Sequence, residues 1–151
     1  MEVEAPAAQG ELDDVELAAW KGLLRLHGAL VKELDAELEV GHGLPFTSYE
    51  VLRSLRCSPA GKLRMAELAE HVLLSRSGMT RLIDRLEREG FVTRSTCDKD
   101  GRGCYAVLTA EGAAAVDRAR ATHLAVVRAR FLKHFSREEL GELAALLARP
   151  L

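Results

Sequence analysis

The chain has 151 residues, is 48% hydrophobic but only 5% aromatic, and carries a formal net charge of −2. That length suits one domain with an added arm, and a core of Leu, Ala and Val favours helices over sheets. The apolar runs are too short for a membrane span, and three cysteines behind a non-hydrophobic N-terminus argue against a disulfide framework.

Residues 1–11, rich in Ala, Glu, Pro and Gly, are expected to form a disordered tail, and a cytoplasmic protein is the default. The first twenty residues hold six acids (Glu2, Glu4, Glu11, Asp13, Asp14 and Glu16) and no Lys or Arg, so the rest of the chain is net positive. A long amphipathic helix is expected from Asp13 and Asp14 to about Glu39, with Trp20, Leu23, Leu30, Leu34 and Leu38 at helical spacing. Gly41, Gly43 and Pro45 end it. Thr47 with Glu50 reads as a capping box for a second helix, whose apolar face is Tyr49, Val51, Leu52 and Leu55. Residues 58–61 close that helix, 62–64 suit a short strand and 66–72 a short third helix. Ser75 caps a fourth helix over 76–89, and Gly90 stops it.

The period then changes. Residues 91–95 and 104–108 are strand-like and flank a charged, glycine-containing tip, which predicts a β-hairpin. Thr109 caps a second long helix reaching about His134. Ser136 and Glu139 form a capping box for a last helix with Leu140, Leu143, Leu146 and Leu147.

Short helix, turn, helix and hairpin, in that order, make a winged helix-turn-helix, and such a helix fits the DNA major groove. The fold expected is mainly α with a small β-hairpin wing and dimerisation helices at both ends. The domain would cover 12–151, with arms at 12–40 and 110–148 and a DNA-binding lobe at 47–109.

In the fourth helix Met79, Leu82, Ile83 and Leu86 share one face. Ser77, Thr80, Arg81, Asp84 and Arg88 occupy the other, with Arg76 and Arg85 at its flanks. Arg suits guanine or phosphate, hydroxyls suit either, and the helix N-terminus attracts phosphate. A solvated face would carry similar charge, because Asp84, Glu87 and Glu89 offset the arginines. The hairpin favours DNA: it brings Arg94 on a strand and Lys99 and Arg102 in the tip. Arg102 suits a narrow minor groove, with Asp100 placed to orient its guanidinium.

The runs LRMAELA (63–69) and LSRSGMTRLIDRLEREGFV (74–92), with DGRG (100–103) followed by Leu108-Thr109, resemble the MarR family of bacterial repressors. The similarity covers nearly the whole chain after the tail. It implies a homodimer joined through the first, fifth and sixth helices, reading a pseudo-palindromic site on double-stranded DNA. It also implies major-groove contacts from Ser75, Ser77, Thr80, Arg81 and Arg85 and a minor-groove contact from Arg102. Apolar surface on both terminal arms independently supports pairing.

The resemblance further implies release by a small phenolic or anionic effector between arm and lobe, where Trp20, Arg25, His27, Tyr49 and Arg53 are the available lining. Aromatic residues at this spacing are also ordinary core. Cys97 and Cys104 flank the tip and, if opposite each other, would form a redox-sensitive pair; unreactive thiols fit the same positions. Cys57 reads as a small hydrophobe near the end of the second helix. The five histidines are scattered without ligand spacing, so no metal or other cofactor is expected. No catalytic motif occurs, and a regulator is expected rather than an enzyme. The competing reading is a winged-helix interaction module that leaves DNA alone.

Overall fold

A computed structural model describes residues 10–97 and 103–150. The first helix, α1 (Asp14–His42), starts in a reciprocal capping box. The Asp13 carboxylate accepts the Val15 and Glu16 N–H groups at 2.8 Å each, and Glu16 accepts the Asp13 N–H at 2.9 Å. It runs nearly a turn beyond the expected end. Gly41 remains helical, and Gly43, at φ +60°, is the left-handed residue that stops it.

Helix α2 (Phe46–Cys57) departs from expectation at its start. Pro45 is the cap, and Thr47 and Glu50 form no capping box. The Phe46 N–H instead donates 2.8 Å to Asp35 Oδ1 on α1, so a tertiary acceptor replaces the local one. A single 3₁₀ turn (Pro59–Gly61) leads into β1 (Lys62–Arg64), then α3 (Met65–Val72). Helix α4 (Arg76–Arg88) is capped by Ser75, whose Oγ accepts the Gly78 N–H at 3.1 Å, and ends before Gly90 at φ +81°.

Strands β2 (Val92–Cys97) and β3 (Gly103–Leu108) form the antiparallel hairpin. The three-residue β1 pairs antiparallel with β3 through Leu63 and Ala106, so β3 is central in the order β1-β3-β2. Thr109 then caps α5 (Ala110–Arg130) by accepting the Gly112 N–H, and its hydroxyl donates 2.7 Å to the Gly90 carbonyl. One residue therefore fastens the end of the wing to the end of α4.

Helix α5 stops at Arg130 rather than near His134. Phe131 leaves helical geometry, and its ring meets Phe135 at 5.4 Å across a 3₁₀ turn (Leu132–His134). Helix α6 (Arg137–Leu147) begins in the expected Ser136–Glu139 capping box.

The core lies where the last turns of α1, the helices α2, α3 and α4, the sheet and the first half of α5 meet. Leu38, Leu52, Leu55, Leu68, Ile83, Leu86, Val92 and Ala119 are buried there. Each Leu or Ile contributes about 1.5–3 kcal/mol by leaving water. Helices α1 and α5 run against each other, joined by Arg130 Nε to Glu33 at 2.6 Å and by His42 Nε2 with Thr122 Oγ1 at 2.8 Å. Beyond Leu34 towards its start, α1 buries no described residue, and α6 buries none.

Candidate nucleic-acid interface

Helix α4 separates into the two faces its sequence predicts. Met79, Leu82, Ile83 and Leu86 are buried, while Ser75, Arg76, Ser77, Thr80, Arg81 and Arg88 are exposed. The polar residues gather at the N-terminal end, where the backbone N–H groups and the helix dipole already favour an anion. Ser75 Oγ lies 3.3 Å from Ser77 Oγ, and Thr80 Oγ1 donates 3.0 Å to the Arg76 carbonyl. Among the described residues Arg76, Arg81 and Arg88 make no ion pair. Their charge is available to a partner.

Two arginines expected on this surface are used within the fold. Arg85 is half-buried and turned towards α2, where its Nη2 donates 2.6 Å to Ser48 Oγ. Arg94 reaches from β2 across α4. Its Nη2 meets Asp84 Oδ1 at 2.5 Å and the Thr80 carbonyl at 3.4 Å, and its Nη1 meets Glu87 Oε1 at 3.2 Å. The Arg94 N–H also donates to Glu87 Oε2 at 3.1 Å. The hydrogen bond to Asp84, with the two nearby carboxylate charges, raises the Arg94 pKa despite partial burial. Asp84 and Glu87, which offset the arginines in a count of charge, are thereby spent on the wing.

A hollow of about 350 Å³ opens beside this face, lined by Arg64, Met65, Arg76, Met79, Thr80 and Cys104. Arg64 and Lys62 lie over the Tyr105 ring at 5.5 and 5.0 Å. Neither cation is among the residues that the sequence assigns to DNA contact. Their signal is the alternation Lys62-Leu63-Arg64, which turns both charges out and Leu63 in. Lys99, Asp100 and Arg102, expected at the wing tip, lie outside the described residues.

The comparison with known proteins agrees with this geometry. A model described as the MarR family matches residues 44–104. The HTH-type transcriptional repressor Rv2887 of Mycobacterium tuberculosis is 37% identical over 107 residues, 71% of this chain and 72% of that protein. Two solved MarR-family transcriptional regulators from Streptomyces coelicolor have the same fold. AbsC is 33% identical with a TM-score of 0.85, over 94% of this chain and 95% of its own. Sco3205, solved in complex with DNA, is 32% identical with a TM-score of 0.86, over 97% and 93%.

The chain belongs to the MarR family.

Within this MarR-family chain the five residues expected to line one effector cleft are divided. Trp20 and His27 border an apolar groove of about 700 Å³ with Leu23, Leu30, Phe131 and Leu143. Arg25 is exposed and lines neither hollow. Tyr49 and Arg53 sit on α2 in a separate hollow of about 230 Å³, with Asp117, Arg120 and His123 of α5. Helix α1 rises about 1.5 Å per residue, which carries Trp20 far from the turn packed on α2. The His123 ring lies 4.8 Å from that of Tyr49 and stacks near Phe46 at 6.3 Å. Burial first, and then the Arg53 cation, lower the His123 pKa. Burial raises that of Tyr49, against the pull of Arg53 and Arg120.

Of the expected Cys97–Cys104 pair, only the Cys104 side chain lies among the described ones. The register sets Cys97 opposite Gly103 and Cys104 opposite Thr96. The two cysteines are therefore one position apart in the backbone pairing. Cys104 is half-buried, its thiol 3.7 Å from the Tyr105 carbonyl, and Cys57, at the end of α2, is exposed rather than packed as a small hydrophobe. Among the described residues no three His, Cys, Asp or Glu side chains group as metal ligands, and no helix is long and apolar enough to cross a membrane.

Proposed function

We propose that this MarR-family regulator is a cytoplasmic repressor that binds a pseudo-palindromic DNA site as a homodimer. The observation that carries this reading is the exposed N-terminal end of α4, where Ser75, Arg76, Ser77, Thr80 and Arg81 stand over a fully apolar inner face with unpaired cations among the described residues. That end enters the major groove: Arg81 reads a base edge, and Arg76 and the hydroxyls hold phosphates. Lys99 and Arg102 supply the wing's contact, with Arg102 in the flanking minor groove oriented by Asp100. The DNA-bound state of Sco3205 and the repressor name of Rv2887 support the same reading.

Pairing is supported by what one chain leaves uncovered. Trp20 is 52% exposed and Leu24 51%, and Leu146 and Leu147 are nearly as open. Large apolar side chains in such a contiguous set suit a partner surface. A second copy covers them through the arms and spaces the two α4 helices about one turn of duplex apart.

Effector release fits the hollow at Tyr49, where Arg53 and Arg120 offer cations beside two rings. A small aromatic acid is the ligand class such a lining accepts.

The test is selection by the purified chain from a randomised duplex pool at two salt concentrations. Enrichment of a palindrome, bound with a steep fall in affinity as salt rises, is the expected outcome. A pool that stays random, with weak salt-insensitive binding, turns the reading to an interaction module.

A further inference from the structure

Ser48 is fully buried in the first turn of α2 and is the only polar residue buried to that degree among those described. Its hydroxyl accepts from Arg85 Nη2 at 2.6 Å, short for such a bond and charge-assisted. The Arg85 Nε is shielded as well and has no hydrogen-bond partner, and no described carboxylate pairs with the guanidinium. A half-buried cation with a single neutral acceptor stabilises a fold poorly. A packed Leu or Met would cover α2 without that desolvation cost. What the arrangement does supply is direction, because a charge-assisted bond of this length tolerates little rotation of the helix that donates it.

Arg85 lies one helical turn beyond Arg81, so the rotation of α4 at Arg85 sets where Arg81, Thr80 and Ser77 point. The acceptor is held in turn by both long helices. Asp35 of α1 takes the Phe46 N–H at 2.8 Å, and His123 of α5 packs against Phe46 and Tyr49. The first turn of α2 thus touches α1, α5 and α4 within four residues, 46–49.

We propose that Arg85 is a positioning residue for DNA recognition: through Ser48 it fixes the rotation of α4 relative to the helical arms, so the arms set how well Arg81 and its neighbours meet base edges. Arg85 itself touches no DNA in this arrangement. The inference rests on the DNA-binding reading above.

The experiment uses the full chain with Ser48→Ala, Arg85→Gln and the double substitution. The probes are the duplex that the wild type selects from the randomised pool and a scrambled duplex of equal length, each titrated over a salt series. Helix content and thermal midpoint are recorded for every variant, and Ser48→Cys replaces Ser48→Ala if the latter does not fold. Ser48→Ala is expected to weaken the selected duplex about tenfold, and Arg85→Gln similarly, as befits losing one charge-assisted bond. The scrambled duplex and the salt slope should stay as in the wild type, and the double variant should be no worse than either single one. Ser48 is buried and out of reach of DNA, and the double variant separates an effect passed through Arg85 from one passed through the packing of α2. Wild-type affinity in Ser48→Ala overturns the proposal. So does an Arg85→Gln chain that loses affinity for both duplexes and about one unit of salt slope, which marks a direct phosphate contact. If the wild type itself selects no duplex, the DNA-binding reading fails and this inference falls with it.

Discussion

Arg81 and Arg94 carry the same guanidinium and are placed for opposite tasks. Arg81 projects from α4 without an ionic partner among the described residues, whereas Arg94 is held by Asp84, Glu87 and the Thr80 carbonyl. Arg81→Ala should therefore cost about 1–3 kcal/mol on the selected duplex and relax preference at one base pair, without lowering the thermal midpoint. Arg94→Ala should lower the midpoint as well, because it leaves two carboxylates facing each other and frees the wing from α4. Binding curves and thermal melts on the two variants check the contrast; equal melting losses would refute it.

His123 gives a pH signature. Burial and the neighbouring Arg53 lower its folded pKa, so the neutral ring is favoured in the native state. As pH falls below about 6.5, the unfolded chain takes up this proton first, and the stability owed to a neutral His123 declines until pH passes the lowered native value. Urea denaturation of the wild type and His123→Gln across that window should show a shallower pH slope in the variant. Identical slopes would mean that the ring is free to protonate in the fold.

At the scale of elements, α5 meets the segment between α4 and β2 at close range. A Cβ on Gly112 would stand 2.2 Å from the Phe91 carbonyl oxygen, which is backbone and has little freedom to yield. Gly112 opens α5 where the Thr109 cap brings that helix down on the wing. Ala would gain about 1 kcal/mol of helix propensity but should lose more to this overlap, for a net loss of about 1–3 kcal/mol. The readout is a lower urea midpoint at unchanged m-value. At the start of α2 the opposite lesson holds. Thr47 and Glu50 have the pattern of a capping box, yet Asp35, distant in the chain, supplies the acceptor and Pro45 takes the cap position. The Glu50 carboxyl, left partly buried, has its pKa raised by that burial, with Arg53 pulling the other way.

The molecule as a whole leaves the first half of α1 and all of α6 without a buried residue, although both carry rows of Leu. Their apolar faces line the groove of about 700 Å³ between Trp20 and Leu147. If a second copy covers it, Leu23→Asp should convert a dimer to a monomer in light scattering. It should also weaken the palindromic duplex far more than a single half-site, since only the pair spans both halves. A wild type that runs as a monomer at micromolar concentration would remove the arms from this role.

Features carried by neighbours in the chain are legible in the sequence alone. The caps at Asp13, Ser75, Thr109 and Ser136, the stop at Gly90, the two faces of α4 and the short β1 all follow from spacing of a few residues, because helix and strand periods act locally. Other features depend on which distant groups meet. The turning of Arg85 to Ser48, the capture of Arg94 by α4, the division of the expected cleft between two hollows, and the one-residue offset of Cys97 from Cys104 all arise from packing. A side chain's partners are set by the three-dimensional arrangement of elements, and the energy of burying or pairing a charge depends on those partners. An exposed arginine and a structural one therefore look alike in a sequence and differ only once the fold has chosen their neighbours.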